Sequence, residues 1–363
     1  MKVVIKIGSS SLTSDKGTVN IQAIAKLSSE ISRLIENGVK VVVVSSAATA
    51  VGLKPLGFEI SDRPNNPAAL RAAAAVGQIL ITSTYSQCLA ANDLEAAQIL
   101  LAPLDFWNRK RYLRSRELLD FLMEKSIVPI INENDALADS EISFGDNDNL
   151  AALVAHLVDA DKLILLTDID GLYTSDPRND PSAELISVVE DITDNLFDAA
   201  GDSGSLVGRG GMASKLSAAQ IASRSGVETI ICNAETPRVL SVCCGSDASI
   251  GTTIRAQSKK VSARKLWIGF ALQPKGQLYV DDGAKSALLS DSSLLSAGII
   301  KATGDFVAED CVDIVDINGE SIARGLVKWS RSDLDSYKGK RTEEVPELSD
   351  SVVHKDDLVI LDS

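Results

Sequence analysis

The stretch Val41-Val42-Val43-Val44-Ser45-Ser46-Ala47-Ala48-Thr49-Ala50-Val51-Gly52 decides the fold. Four consecutive valines suit a strand buried on both faces, which is the habit of parallel sheets covered by helices. Beyond the valines every residue up to Val51 is small or hydroxylated. Two readings fit: a strand-to-helix turn capped by Ser45 or Ser46, or a loop over whose backbone a ligand passes closely.

The same alternation repeats on either side. KVVIKIG (2–8) precedes a helical pattern near 21–37, and VKVVVVSS (39–46) precedes one near 68–91. LEAAQILLA (94–102), IVPIINEND (127–135), DKLILLTD (161–168) and VETIICN (227–233) supply further strands, with helices expected near 114–125, 148–158 and 212–225. Repeated strand–helix units with apolar strands predict an α/β fold, a mostly parallel sheet sandwiched by helices, over residues 1–256. Ligands of such sheets sit beyond the carboxyl ends of the strands, so chemistry is expected just after each apolar run.

From about residue 278 the texture changes to short strands and turns, as in CVDIVDINGESIARGLVKW (311–329), where Asn318-Gly319 signals a hairpin. A small β-rich domain is expected over 278–363. Between the two lies 257–277, with five basic residues (Lys259, Lys260, Arg264, Lys265, Lys275) and no acidic one, read as a connector whose charge is solvated or paired with a neighbouring surface.

The 363 residues carry a formal charge of −14, which opposes a general role on nucleic acid or on an anionic membrane. No apolar run approaches the roughly 18 residues of a membrane span, and the opening MKVVIKIGSSSL lacks a secretory pattern, so a cytoplasmic enzyme or binding protein is expected. Five scattered cysteines and two histidines form no metal-ligand spacing, so neither zinc nor a disulfide framework is implied.

Several segments could carry chemistry. Lys6 lies in an apolar strand and is followed by Gly8 and Ser9; it either meets an anion or reaches solvent from an edge strand. Gly210 and Gly211 open a helix that carries Met212, Ala213, Ser214 and Lys215, a plausible anion site through free N–H groups and the helix dipole. Asn132-Glu133-Asn134-Asp135 and Gly145-Asp146-Asn147-Asp148-Asn149 are turn and N-cap material, yet they exceed what one cap requires and suit an ammonium group or Mg2+. Thr167 and Asp168 head a segment that is either a proline-ended loop or a seat for a nucleotide base and ribose.

Together KIGSSSLT (6–13), VSSAATAVG (44–52), AAAAVGQ (72–78), PIINENDALA (129–138), FGDNDNLAALVA (144–155), KLILLTDIDGLYTSDPR (162–178) and GRGGMASKLSAAQIA (208–222) resemble the amino acid kinase family. Within it they resemble the members that phosphorylate the γ-carboxylate of L-glutamate at the start of proline synthesis. WIGF (267–270), VDDGAKSALL (280–289), SSLLSAGI (292–299), TGDF (303–306) and HKDDLVIL (354–361) resemble a PUA domain, a small β-barrel. The resemblance implies ATP and Mg2+, with Lys6 and Lys215 bracketing the transferring phosphoryl group and Asp148 organising the two lysines. Ser46, Ala47, Asp135 and Asn147 would line the glutamate site, with Asn134 close by. Gly8, Ser9, Thr167 and Asp168 would face the nucleotide, and Arg209, Gly210, Gly211, Met212, Ala213, Ser214 and Lys215 would wrap its phosphates.

It further implies L-proline as a feedback inhibitor, glutamyl phosphate reductase as a pathway partner and a homo-oligomer. The chain departs from the family at Ala47, usually Gly, at Leu70-Arg71, usually Lys-Gln, and at Arg209, commonly Thr. Alanine at 47 suits an ordinary negative φ. Kinases of other acids, such as acetylglutamate or aspartate, remain alternatives within the family. RNA binding through the PUA domain opposes the charge of 278–363, where 9 Lys and Arg face 18 Asp and Glu.

Overall fold

In a computed structural model the chain forms two compact units, Met1–Lys260 and Val261–Ser363. The structure describes residues 1–14, 17–137, 147–199, 211–245, 250–257, 261, 263–266, 268, 269, 272, 274–337 and 351–361.

Among the described residues the first unit holds eight strands: β1 (Lys2–Ile7), β2 (Lys40–Ser45), β3 (Ala96–Leu101), β4 (Val128–Glu133), β5 (Lys162–Thr167), β6 (Val188–Val189), β7 (Glu228–Asn233) and β8 (Thr252–Ile254). They form one sheet in the order β3-β4-β2-β1-β5-β7-β8-β6, in which only the β7–β8 pairing is antiparallel. Its helices are α1 (Ser9–Leu12), α2 (Ile21–Glu36), α3 (Ala48–Leu53), α4 (Pro67–Ala90), α5 (Leu104–Trp107), α6 (Arg109–Glu124), α7 (Asn147–Leu157), α8 (Asp194–Ala199), α9 (Met212–Arg224) and α10 (Val239–Cys243). Five of the six residues of β1, β2 and β5 are buried, and all six of β4, so helices cover both faces of the sheet centre. No helix among the described residues is long and apolar enough to cross a membrane.

Helix starts follow local chemistry. Asn20, Asn66 and Asn108 cap α2, α4 and α6 by accepting backbone N–H bonds. The cap at Asn108 explains why α6 begins at Arg109 rather than near 114, since Arg109 to Leu113 extend the helix without adding a buried residue that periodicity would reveal.

The second unit contains α11 (Ala263–Leu266), β9 (Gly276–Val280), α12 (Asp282–Leu289), β10 (Ile299–Gly304), β11 (Cys311–Val315), β12 (Ser321–Val327), α13 (Arg331–Tyr337) and β13 (Val353–Ile360). Its sheet runs β10-β9-β11-β12-β13, and Leu294, ahead of β10, forms an isolated antiparallel bridge with Val353 of β13. The expected hairpin joins β11 to β12, with Gly319 at φ 87° and Asp316 accepting from the N–H groups of Asn318 and Glu320.

The basic stretch 257–277 is not a free connector. From Val261 onward it belongs to the second unit: Leu266 and Ile268 are fully buried, and the Arg324 guanidinium donates to the carbonyls of Gly269 and Leu272. Among its described residues, Arg264 pairs with Asp357 and Lys275 with Asp310. Composition marked the stretch as distinct, but burial assigns it.

Candidate active site

Lys6 is not an edge-strand lysine. β1 lies between β2 and β5, Lys6 is in register with Val44 and Leu165, and only 3% of it is exposed. Its ammonium meets Asp148 Oδ1 at 2.5 Å, while Lys215 Nζ meets Asp148 Oδ2 at 3.0 Å. Three elements thus converge, β1, the first turn of α7 and the first turn of α9. Asp148 is fully buried. Burial alone pushes its carboxyl pKa up, yet the charges and hydrogen bonds of Lys6 and Lys215 outweigh that and hold it below the usual carboxylate range. Two ammoniums on one carboxylate give the trio a net charge of +1, placed where water screens little. Such a centre suits an anionic group.

The capping expectation for the opening stretch does not hold. Neither serine caps α3: the residue before it is Ala47, with no side-chain cap. At the end of the stretch, helix packing limits the size of Gly52. A Cβ on Gly52 would lie 1.8 Å from the carbonyl oxygen of Ala73, and one on Gly77 would lie 1.7 Å from that of Ala48. α3 and α4 therefore cross backbone against backbone, and a larger residue at either glycine would force them apart.

Ala47 corrects a second expectation. Its φ is 73°, in the left-handed region, where a glycine would be relaxed and an alanine costs about 1 kcal/mol. Ala47 and Ser46 are both buried, at the carboxyl end of β2.

A chain of side-chain amides runs beside the trio. Asn147 Nδ2 donates to the Ser45 carbonyl at 2.6 Å and to Asn132 Oδ1 at 2.7 Å. Asn132 Nδ2 donates to Gln78 Oε1 at 3.2 Å, and Gln78 Nε2 donates to the Glu133 carbonyl at 3.2 Å. Asn147 and Asp148 are the first two residues of α7, inside the helix rather than ahead of it as N-caps, which was the blander reading of that loop. Asn134 and Asp135 follow β4, both half-buried, and the Asn134 N–H donates to the Leu101 carbonyl. Gln78 was not among the sequence-derived site residues, and Asn132 stood there only as the head of the NEND segment; the signal for Gln78 was an amide in AAAAVGQ.

On the other side of β1, Thr167 ends β5 and its Oγ1 donates to Asp168 Oδ1 at 3.1 Å; Asp168 is exposed. Gly8 is half-buried and Ser9 exposed, and a Cβ on Gly8 would lie 3.9 Å from Lys6 Nζ. A cavity of about 210 Å3 opens at the ends of β5 and β7, lined by Asp170, Leu185, Cys232, Asn233, Thr236 and Gly251. A larger one, about 270 Å3, lies at the opposite strand ends beside Lys40 and Val41, away from the lysines. Gly211 precedes α9, and Met212, Ala213 and Ser214 form its first turn ahead of Lys215. Arg209 and Gly210 lie outside the described residues.

No three His, Cys, Asp or Glu side chains cluster as metal ligands among the described residues, and both Asp148 oxygens are engaged by lysines. The described residues therefore do not form a protein cage for Mg2+.

A mostly parallel α/β sheet with a buried lysine–aspartate–lysine trio beside its central strand defines the class. The chain belongs to the amino acid kinase family, whose sequence pattern matches residues 1–233, and a PUA domain matches residues 276–348. Its curated relatives are more particular. The glutamate 5-kinase of Thermoanaerobacter sp. (strain X514) is 41% identical over 368 residues, covering 100% of this chain and 98% of the relative. The glutamate 5-kinase of Geobacter metallireducens is 42% identical over 366 residues, covering 99% and 97%. In solved structures the fold is shared by the isopentenyl phosphate kinase of T. acidophilum (TM-score 0.50, 20% identity, 70% of this chain and 100% of that one). It is shared too by a carbamate kinase from Giardia lamblia (TM-score 0.50, 18% identity, 70% and 98%).

Proposed function

We propose that this protein is a glutamate 5-kinase, transferring the γ-phosphoryl group of ATP to the γ-carboxylate of L-glutamate to give L-glutamyl 5-phosphate, the first step of proline synthesis. The observation that carries the reading is the buried Lys6–Asp148–Lys215 trio. A carboxylate oxygen forms the new P–O bond while the bond to the β,γ-bridging oxygen breaks and ADP leaves. The acceptor is already ionised at neutral pH, so no general base is required. What remains is alignment and neutralisation of charge on the moving phosphoryl group. Asp148 holds the two ammoniums apart on its two oxygens, so each can face a different side of that group.

In this reading Ser46, Ala47, Asn134, Asp135 and Asn147 line the glutamate site, where acidic and amide groups receive the substrate ammonium. Gly8, Ser9, Thr167, Asp168 and residues 209–215 serve the nucleotide, which enters as its Mg2+ complex. L-Proline, which shares the substrate's α-carboxylate and ammonium, is the expected competitive inhibitor. A homo-oligomeric, cytoplasmic enzyme feeding a glutamyl phosphate reductase completes the proposal; RNA is not an expected partner.

Incubation with L-glutamate, ATP and hydroxylamine tests the reading: an acyl phosphate is trapped as the hydroxamate. Hydroxamate from acetylglutamate or aspartate in place of glutamate would assign a different acid.

A further inference from the structure

The amide chain beside the trio has a direction. Gln78, on α4, is 6% exposed, and both ends of its amide are engaged. Its Nε2 faces a carbonyl, that of Glu133, which can only accept. Its Oε1 must then receive Asn132 Nδ2, which turns Asn132 Oδ1 toward the Glu133 N–H and Asn147 Nδ2. Asn147 Nδ2 closes the chain on a second carbonyl, that of Ser45. Three amides are thereby pinned between two backbone carbonyls, and reversing any one of them sets oxygen against oxygen. Asn147 Oδ1 takes part in neither bond and is left as an acceptor of fixed orientation. The depth of Gln78 is itself set by its neighbour Gly77, where α4 touches the Ala48 carbonyl with no room for a methyl group.

We infer that Gln78 is a positioning residue, which orients the Asn147 amide through Asn132 so that its oxygen is presented to the substrate ammonium. The activity readout of this inference rests on the glutamate kinase reading. Gln78→Leu removes both hydrogen bonds, and Gln78→Met does the same with a less branched side chain, so that one serves if the other fails to fold. Gln78→Glu keeps the shape but cannot donate to the Glu133 carbonyl.

Each variant is expected to raise the glutamate KM by about tenfold while the ATP KM stays within about threefold. In an Asn147→Ala background, Gln78→Leu should add less than about twofold, because the relay no longer has an endpoint. A second measurement does not depend on turnover: the Asn147 side-chain N–H protons exchange slowly with solvent in the wild-type protein and at least about tenfold faster in Gln78→Leu. Equal losses toward glutamate and ATP, additive effects in the Asn147→Ala background, or unchanged Asn147 exchange would overturn the inference. A wild-type protein inert on glutamate would defeat the functional reading instead, and the exchange measurement would still decide Gln78.

Discussion

Asp148 in the first unit and Asp357 in the second each sit between two cations. Asp148 holds Lys6 and Lys215; Asp357 holds Arg264 and Lys328. Both carboxylates are buried, but the cations differ. The lysine side chains around Asp148 are 3% and 6% exposed, whereas those of Arg264 and Lys328 are 41% and 28% exposed. Charge in contact with water is screened and contributes little beyond local order. Charge taken out of water is costly, and it is retained where a field is needed. The same arrangement of three charges is thus shut away from water in one unit, where we propose that it handles an anion, and open to it in the other, where it acts as a clasp.

The largest expected difference is in turnover. Lys6→Ala and Lys215→Ala should each lower kcat by about 10^2–10^3-fold with the glutamate KM changed only a few-fold, as for loss of a group that acts on transition-state charge. Arg264→Ala should leave kcat within about twofold. Steady-state kinetics of the three variants would break the comparison if Arg264→Ala proved as damaging as the lysine substitutions.

A second difference lies in acid. Because Asp148 titrates below the usual carboxylate value of about 3.9, its contribution to stability is complete above that pH and is lost as the pH falls through its lower folded value. Asp148→Asn should therefore show a shallower loss of stability than wild type below about pH 4, measured by denaturant midpoints across that range. Above it Asp148 stays ionised, and no limb of a kcat profile between about pH 5 and 9 should belong to it.

Smaller still is the backbone effect beside the first centre. Ala47→Gly should raise stability by about 1 kcal/mol by relieving the positive φ, with kcat/KM for glutamate within about tenfold of wild type. Ala47→Val should lower both, since a branched side chain is placed at a buried left-handed position. Thermal unfolding together with kinetics separates the two contributions. The smallest effect belongs to the clasp: Lys328→Ala should cost less than about 1 kcal/mol and leave turnover unchanged.

Much of the first unit was legible because its signals are local. Runs such as LILL (163–166) are apolar without interruption, and the helical patterns near 21–37, 68–91 and 212–225 lie within about one residue of the observed bounds. Lys6 and Lys215 stood out as charged residues in apolar or glycine-rich surroundings, whereas Asp148 was one of several acids and amides in GDNDN and was singled out by the family resemblance. What could not be read was whether Lys6 faced solvent or an ion, because that depends on β1 lying at the centre of the sheet, a matter of strand order. Gln78 was equally hidden, since an amide in an alanine-rich helix is the same letter whether it faces water or pins a loop.

The sequence by itself determined the alternation of strands and helices, the family, and the charged and amide residues available for chemistry, because propensity, burial pattern and turn residues act over a few neighbours. Only the tertiary structure decided that two lysines 209 positions apart share one carboxylate, that Gly52 and Gly77 are small for each other's helix, and that Ala47 holds a left-handed backbone. Each of these is fixed by how close distant segments come, and closeness is set by packing of the whole unit rather than by any stretch of it.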